Sequence, residues 1–330
     1  GAMFAGLLGS RSSILWHTLF MLLTVGVVAM GVHRGIETAC KVLMPALVGI
    51  LVLMLGYVAW TGGLAESARF LFAPDFSRLT GDAVLQAMGH AFFTLSLGMG
   101  AMVTYGSYLK SERAVVRDGV IVAVMDTAVA LLAGLVIFAV VFAHGGEPGQ
   151  GPGLVFVTLP KLFVTMGGAA RVFGAAFFLL LVFAAWTSAI SLLEVVVAFL
   201  VDTVGLPRRT AALGAGLLIW ALGLASATNA DTLGLLDDVT TKYMLPLGGL
   251  GIAVAAGWLL SKEDREAGFA ALPGGGKALA AGWTAVIRSV TPILVALVIL
   301  NQLGVFKREV PAAQESSVAP AGDVAPVGGG

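Results

Sequence analysis

Eight stretches of about twenty mostly apolar residues dominate this 330-residue chain, and a helix needs about that length to cross the hydrocarbon core of a bilayer. Hydrophobic residues make up 58% of the chain and charged residues only 12%, whereas a soluble domain carries about 25% charged residues. So few charges cannot cover a water-exposed surface, which excludes a soluble enzyme. We predict an all-α polytopic membrane protein, multi-pass in a lipid bilayer, with a transmembrane bundle over residues 13–306. The predicted spans are 13–31, 41–61, 83–105, 116–143, 173–200, 210–228, 239–260 and 281–303.

The residues that usually carry chemistry exclude several functions. Lys plus Arg and Asp plus Glu number 19 each, so the chain has no basic field for nucleic acid. The single cysteine cannot form an internal disulfide, and the four histidines show no metal-ligand spacing. No glycine-rich phosphate loop and no Gly-x-Ser-x-Gly motif is present. We therefore expect neither an enzyme nor an organic cofactor.

The orientation of the spans follows from the basic residues. Eleven of the nineteen Lys and Arg residues fall in one set of short loops, which we place in the cytoplasm. Both termini then face outward, with residues 1–12 an external segment and residues 307–330 a disordered tail. External loops cover 62–81 and 144–171, and the apolar stretch 154–160 is too short to cross but able to fold back over a vestibule. An external N-terminus without a signal peptide suggests that earlier helices precede this sequence.

Two carboxylates lie away from the ends of the predicted spans, where a charge at the bilayer centre costs at least ~2.5 kcal/mol. Between residues 120 and 132, Thr127 is the only polar residue besides Asp126. This pattern indicates a cation ligand or a proton carrier, and the alternative is a structural carboxylate bonded to a neighbouring helix. Glu194 lies nearer the cytoplasmic end, where we expect water to reach it, and for this residue the same two interpretations stay open.

The third span contains an alternation of small and polar residues within an apolar run, at Thr94, Ser96, Gly98 and Gly100. Each glycine costs up to about 1 kcal/mol in a helix interior relative to alanine, which favours a break. Broken helices survive in the membrane where they line a cavity, and a close-packing glycine face is the alternative.

On the fifth span, the oxygens of Ala184, Thr187 and Ser188 share one helix face at i, i+3 and i+4. Such oxygens suit a hard monovalent cation, although Ser and Thr also join helices to one another.

Several motifs together resemble the neurotransmitter:sodium symporter family. Residues 92–100 read Phe-Phe-Thr-Leu-Ser-Leu-Gly-Met-Gly and residues 104–108 read Thr-Tyr-Gly-Ser-Tyr, which is similar to the family's sixth transmembrane helix. Further matches in family order are residues 35–37 with 44–45, 71–76, 159–160 and 187–188. The resemblance covers about residues 13–305 and implies the inverted-repeat sodium symporter fold. The eight spans correspond to family helices four to eleven, so we expect an N-terminally truncated chain.

The resemblance implies sodium-coupled uptake of amino acids by alternating access, in a bacterial inner membrane, with Na⁺ as the transported ion. A first sodium site would use Thr94 and Asp126, and a second would use the Ala184 carbonyl with Thr187 and Ser188. The remaining motif residues would form the substrate pocket and the two gates. For the pocket these are Phe93, which would also act as an outer lid, with Thr94, Ser96, Met99, Ser188 and Leu192; for the outer gate Asp238, with Asp237 adjacent; and for the cytoplasmic gate Asp202, Ser107 and Tyr108.

Three expectations follow from departures from the family pattern. Asp126 stands where the family often has Asn, so its fixed charge predicts chloride independence. Family helix one supplies ligands to both sodium ions, and without it each site is a half-shell, so we expect no transport by these 330 residues alone. Met99 and Leu192 form an apolar wall, which suits a hydrophobic amino acid.

Two alternative functions stay open. One is a proton-coupled carrier using Asp126 or Glu194, and the other is a regulatory or vestigial membrane protein without transport. The sequence does not specify an oligomeric state.

Overall fold

The structure is a computed structural model and describes residues 10–109, 115–149, 151–270, 276–303 and 305. Within these residues all regular structure is helical, with no β-strand. The predicted tail and most of the predicted N-terminal segment lie outside the described residues. The main helices of the described part are α1 (Arg11–Ala29), α2 (Val32–Thr61), α3 (Leu64–Phe72), α4 (Gly81–Thr94), α5 (Ala101–Ser107), α6 (Val115–Ala143), α7 (Leu154–Thr165), α8 (Ala170–Asp202), α9 (Arg208–Thr228), α10 (Asp231–Leu259), α11 (Lys262–Phe269) and α12 (Lys277–Asn301).

Seven of the described helices are long and apolar enough to cross a membrane, by length and composition: α1, α2, α6, α8, α9, α10 and α12. Their outer faces carry exposed large apolar side chains such as Leu53, Trp60 and Leu259. A soluble protein would bury such side chains, whereas a bilayer solvates them. These helices correspond to seven of the eight predicted spans, and the all-helical membrane architecture is confirmed.

The remaining predicted span, 83–105, is broken as its glycines indicate. Helix α4 ends at Thr94, and α5 begins only at Ala101. Between them Ser96 and Gly100 have positive φ angles of 53° and 78°, which few residues other than glycine adopt. A side chain on Gly98 would overlap the backbone of Leu245 in α10, so the break lies against that helix.

The two predicted external loops contain helices that the sequence did not reveal. Residues 62–81 include α3, which packs on α6: the Ser67 hydroxyl donates to the Leu135 carbonyl at 2.9 Å, and the Phe70 ring lies 4.7 Å from that of Phe138. Residues 144–171 include α7, which buries Leu159 and Phe163. The short apolar stretch therefore folds back against the bundle core, because a half-apolar helix must bury one face.

Helix α8 is central to the bundle because it belongs to both buried clusters. Its N-terminal half packs with α2, α6 and α7 through side chains such as Phe173 and Phe177. Its C-terminal half packs with α1 and α9, where Ile190 and Val197 are fully buried. The oxygens predicted to bind a cation lie between these two halves, so they are held on a helix that is fixed at both ends.

Candidate functional site

The break after α4 brings a hydroxyl against the carboxylate in α6. The Thr94 hydroxyl donates to both carboxylate oxygens of Asp126, at 3.0 and 3.1 Å, across 32 residues of sequence. Thr94 is the last residue of α4 and lies directly before the break. Three hard oxygens therefore meet at one point within the membrane-spanning part of the bundle.

A cavity of about 870 Å³ adjoins this pair. It is lined by all six predicted substrate residues and by four of the five predicted sodium ligands, two of which belong to both sets. Its size falls within the range of small-molecule sites. The predicted residues on its wall are Phe93, Thr94, Ser96, Met99, Asp126, Thr187, Ser188 and Leu192.

The oxygens predicted for a second cation lie on α8, at the same cavity. The Thr187 hydroxyl donates to the carbonyls of Phe183 and Ala184, at 3.1 and 3.0 Å. Ser188 is exposed toward the cavity, whereas Ala184 does not line it. The Ala184 carbonyl thus accepts from the Thr187 hydroxyl but lies off the cavity wall.

The start of α2 also lines this cavity, which the site prediction missed. His33, Glu37 and Cys40 lie on its wall, and Glu37 binds both His33 and Lys41 at 2.8 and 2.7 Å. The i, i+4 spacing of His33 and Glu37 places both on one helix face. That spacing was visible in the sequence, but nothing there showed which face points inward.

Glu194 is fully buried, which corrects the expectation that water reaches it. Its carboxylate pairs with the Arg208 guanidinium at 2.5 Å and accepts from the Tyr108 hydroxyl at 2.5 Å. Arg208 also donates through Nε to the Val28 carbonyl at 3.0 Å. One carboxylate therefore joins α8 to α9, to the end of α5 and, through Arg208, to the end of α1.

The three residues predicted for a cytoplasmic gate separate into two places. Ser107 and Asp202 line a cavity of about 360 Å³ with Thr104, and the Ser107 hydroxyl donates to the Thr104 carbonyl at 2.7 Å. Tyr108 lies instead at the Glu194 carboxylate. The Tyr108–Glu194 hydrogen bond thus joins the end of α5 to α8, and Ser107 and Asp202 face a common cavity.

At the opposite end of the cavity, the structure distinguishes two adjacent carboxylates. Asp238 pairs with Lys242 at 2.6 Å. Asp237 instead lines a cavity of about 310 Å³ with His90 and Phe93. Phe93 is the predicted lid, so Asp237 rather than Asp238 lies on the lid's side.

Comparison with known proteins gives a consistent result. A family model described as the sodium:neurotransmitter symporter family matches residues 7–314. The Bacillus subtilis protein "Uncharacterized sodium-dependent transporter YhdH" is 34% identical over 318 residues, which are 93% of this chain and 70% of that protein. A Drosophila ananassae protein named sodium-dependent nutrient amino acid transporter 1 is 27% identical, over 64% of this chain and 35% of that protein.

One solved structure is similar across nearly the whole chain. The crystal structure of MhsT in complex with L-phenylalanine matches with a TM-score of 0.78 and 38% sequence identity. The match covers 91% of this chain and 70% of MhsT. The overall fold is therefore similar to that of a protein solved with an amino acid bound.

Proposed function

Because this chain belongs to the sodium:neurotransmitter symporter family, a family of transporters rather than enzymes, we propose that it carries the ion and substrate sites of a sodium-coupled amino-acid symporter. One observation carries the proposal. The Thr94 hydroxyl and the Asp126 carboxylate meet at the break of a membrane span, and Thr187 and Ser188 line the same cavity. Broken helices at mid-membrane are where transporters of this kind bind ions and substrates.

The proposed sodium ligands are all hard oxygens. Thr94 and Asp126 supply a hydroxyl and two carboxylate oxygens to a first ion. The Ala184 carbonyl and the hydroxyls of Thr187 and Ser188 supply three oxygens to a second. A hard cation needs about five or six oxygens to replace its water, so each set alone binds sodium weakly. We therefore propose that the 330 residues by themselves do not sustain uptake.

The proposed substrate is a hydrophobic amino acid. Phe93, Met99 and Leu192 supply apolar wall area, and Ser96 and Ser188 supply hydroxyls. A mostly apolar wall with few polar groups suits a ligand with an apolar side chain. The L-phenylalanine bound to MhsT, which is 38% identical, supports this substrate class.

Coupling is proposed to be to sodium alone, without chloride. Asp126 lies against Thr94 and carries a fixed negative charge where a bound anion would otherwise be needed. Coupling to protons through Glu194 has no comparable support, because its carboxylate is held by Arg208 and Tyr108.

The proposed gates lie at the two ends of the cavity. Ser107, Tyr108 and Asp202 would close the end where α5 meets α8. At the other end Phe93 would act as the lid, with Asp237 or Asp238 as its acidic partner.

Cys40 allows a direct test because it is the chain's single cysteine and lies on the cavity wall. We expect saturating sodium with L-phenylalanine to slow maleimide labelling of Cys40 in the purified protein, relative to choline with L-phenylalanine. Thr94→Ala and Asp126→Asn should each remove the sodium effect. Asp118→Asn is the matched control, because it removes the same charge from the same helix and should leave the effect intact. Labelling rates that ignore sodium in the unsubstituted protein would refute the proposal.

A further inference from the structure

A second polar cavity, of about 370 Å³, lies where α10 ends and between α11 and α12. Its charged lining consists of three basic side chains and one acidic one. The other lining residues are alanines and a threonine, whose small side chains do not block access to the charged groups. The charged residues are Lys262, Arg265, Arg288 and Glu266.

Both arginines of this basic cavity are fixed by carbonyls rather than by carboxylates. Arg288 donates through Nε to the Gly257 carbonyl at 2.5 Å, and Arg265 donates to the Leu260 carbonyl. These carbonyls are unsatisfied groups at the end of α10. Within the described residues neither arginine has an acidic partner at ion-pair distance, and Glu266 lies 3.7 Å from Lys262. The guanidinium groups therefore keep their full charge and several unused N–H donors.

The apolar residues next to the basic cavity indicate its depth in the membrane. Trp258 and Leu259, in the last turn of α10, are 48% and 80% exposed. The Arg288 guanidinium lies 5.8 Å from the centre of the Trp258 ring. Tryptophan next to a span end is typical of the boundary between hydrocarbon and headgroups. Arg288 itself belongs to the membrane-spanning helix α12, and an exposed cation there requires a counter-charge.

We propose that the basic cavity binds the phosphate of an anionic phospholipid headgroup, with Arg288, Arg265 and Lys262 as its ligands. Arginine N–H pairs match phosphate oxygens in a two-point geometry, and basic pockets between membrane helices are known to suit anionic headgroups. The exposed Trp258 and Leu259 extend the site toward acyl chains, which a soluble phosphate ion does not possess. The occupant is therefore a lipid rather than a free anion.

The test uses the purified 330-residue protein, freed of lipid in detergent and titrated with phosphatidylglycerol or phosphatidylcholine. Native mass spectrometry counts the bound molecules. We expect phosphatidylglycerol to bind more tightly than phosphatidylcholine. Each lost cation near a membrane surface weakens the attraction by about fivefold, so Arg288→Gln and Lys262→Gln should each show about that loss. Arg209→Gln is the matched control, an exposed arginine outside the basic cavity, and it should bind as the unsubstituted protein does.

Lys262→Gln keeps the test decisive if Arg288→Gln fails to fold, because the Lys262 side chain is 83% exposed. Equal binding of the two lipids would overturn the proposal, as would equal losses in Lys262→Gln and Arg209→Gln. A third arm adds inorganic phosphate alone. If phosphate binds with the same dependence on Arg288 and Lys262 while phosphatidylglycerol does not, the site takes a soluble anion and the lipid proposal is wrong.

Discussion

Glu194 and Arg208 form an ion pair at 2.5 Å between α8 and α9, with the carboxylate fully buried and the arginine side chain 25% exposed. The two residues lie 14 positions apart and on different helices. Tyr108 completes the contact from the end of α5. Because Tyr108 also lines the candidate site's cavity, the pair ties the site to the packing of the bundle.

The first prediction concerns the asymmetry of that ion pair. Arg208→Gln leaves a fully buried carboxylate without its cation, and we expect a loss of about 3–5 kcal/mol in the free energy of unfolding. Glu194→Gln should cost less, because the remaining cation is partly exposed and keeps the Val28 carbonyl. Thermal unfolding in detergent measures both. The double substitution should recover part of the Arg208→Gln loss, and equal losses in the two single variants would contradict this account.

The second prediction concerns the close contact at the break. A side chain on Gly248 would overlap the Gly98 carbonyl, whereas Gly251 has open space around it. Both residues lie in α10. We expect Gly248→Ala to destabilise the protein by about 1–3 kcal/mol through overpacking and Gly251→Ala to stabilise it by up to about 1 kcal/mol. Unfolding midpoints measure the difference, and two variants of equal stability would show that the break does not depend on this contact.

The third prediction concerns chloride. Sodium-dependent protection of Cys40 should persist when gluconate replaces chloride, because Asp126 supplies the negative charge. Protection that disappears in gluconate would show that a bound anion is required.

The fourth prediction separates the two adjacent aspartates. Asp237→Asn should change the labelling rate of Cys40 in the presence of sodium and L-phenylalanine, because Asp237 shares a cavity with the lid residue Phe93. Asp238→Asn removes an exposed pair with Lys242, which is worth about 0–1 kcal/mol, and should leave that rate unchanged. The reverse pattern would make Asp238 the acidic partner of the lid.

The fifth prediction is that proteoliposomes made from the 330 residues show no sodium-driven uptake of L-phenylalanine. The described oxygens at each proposed sodium position are fewer than the five or six that a hard cation needs. Uptake above that of empty liposomes, driven by a sodium gradient, would show that these oxygens suffice.

The sequence by itself determined the membrane class, the positions of the spans and the break between Thr94 and Ala101. These properties are local, because hydrophobic length and glycine content act through neighbouring residues in the chain. The motifs at residues 92–100 and 187–188 also indicated which residues share the cavity, and the structure places them around it.

Only the tertiary structure decided how those helices meet. The partner of Glu194, the helices inside the two external loops, and the choice of Asp237 for the lid side depend on which face of one helix packs against another. Asp237 and Asp238 are alike in the sequence, but successive residues of a helix point in directions about 100° apart, so one faces the lid cavity and the other faces Lys242. Such rotations are fixed by long-range packing, which a pattern of residue types along the chain does not contain.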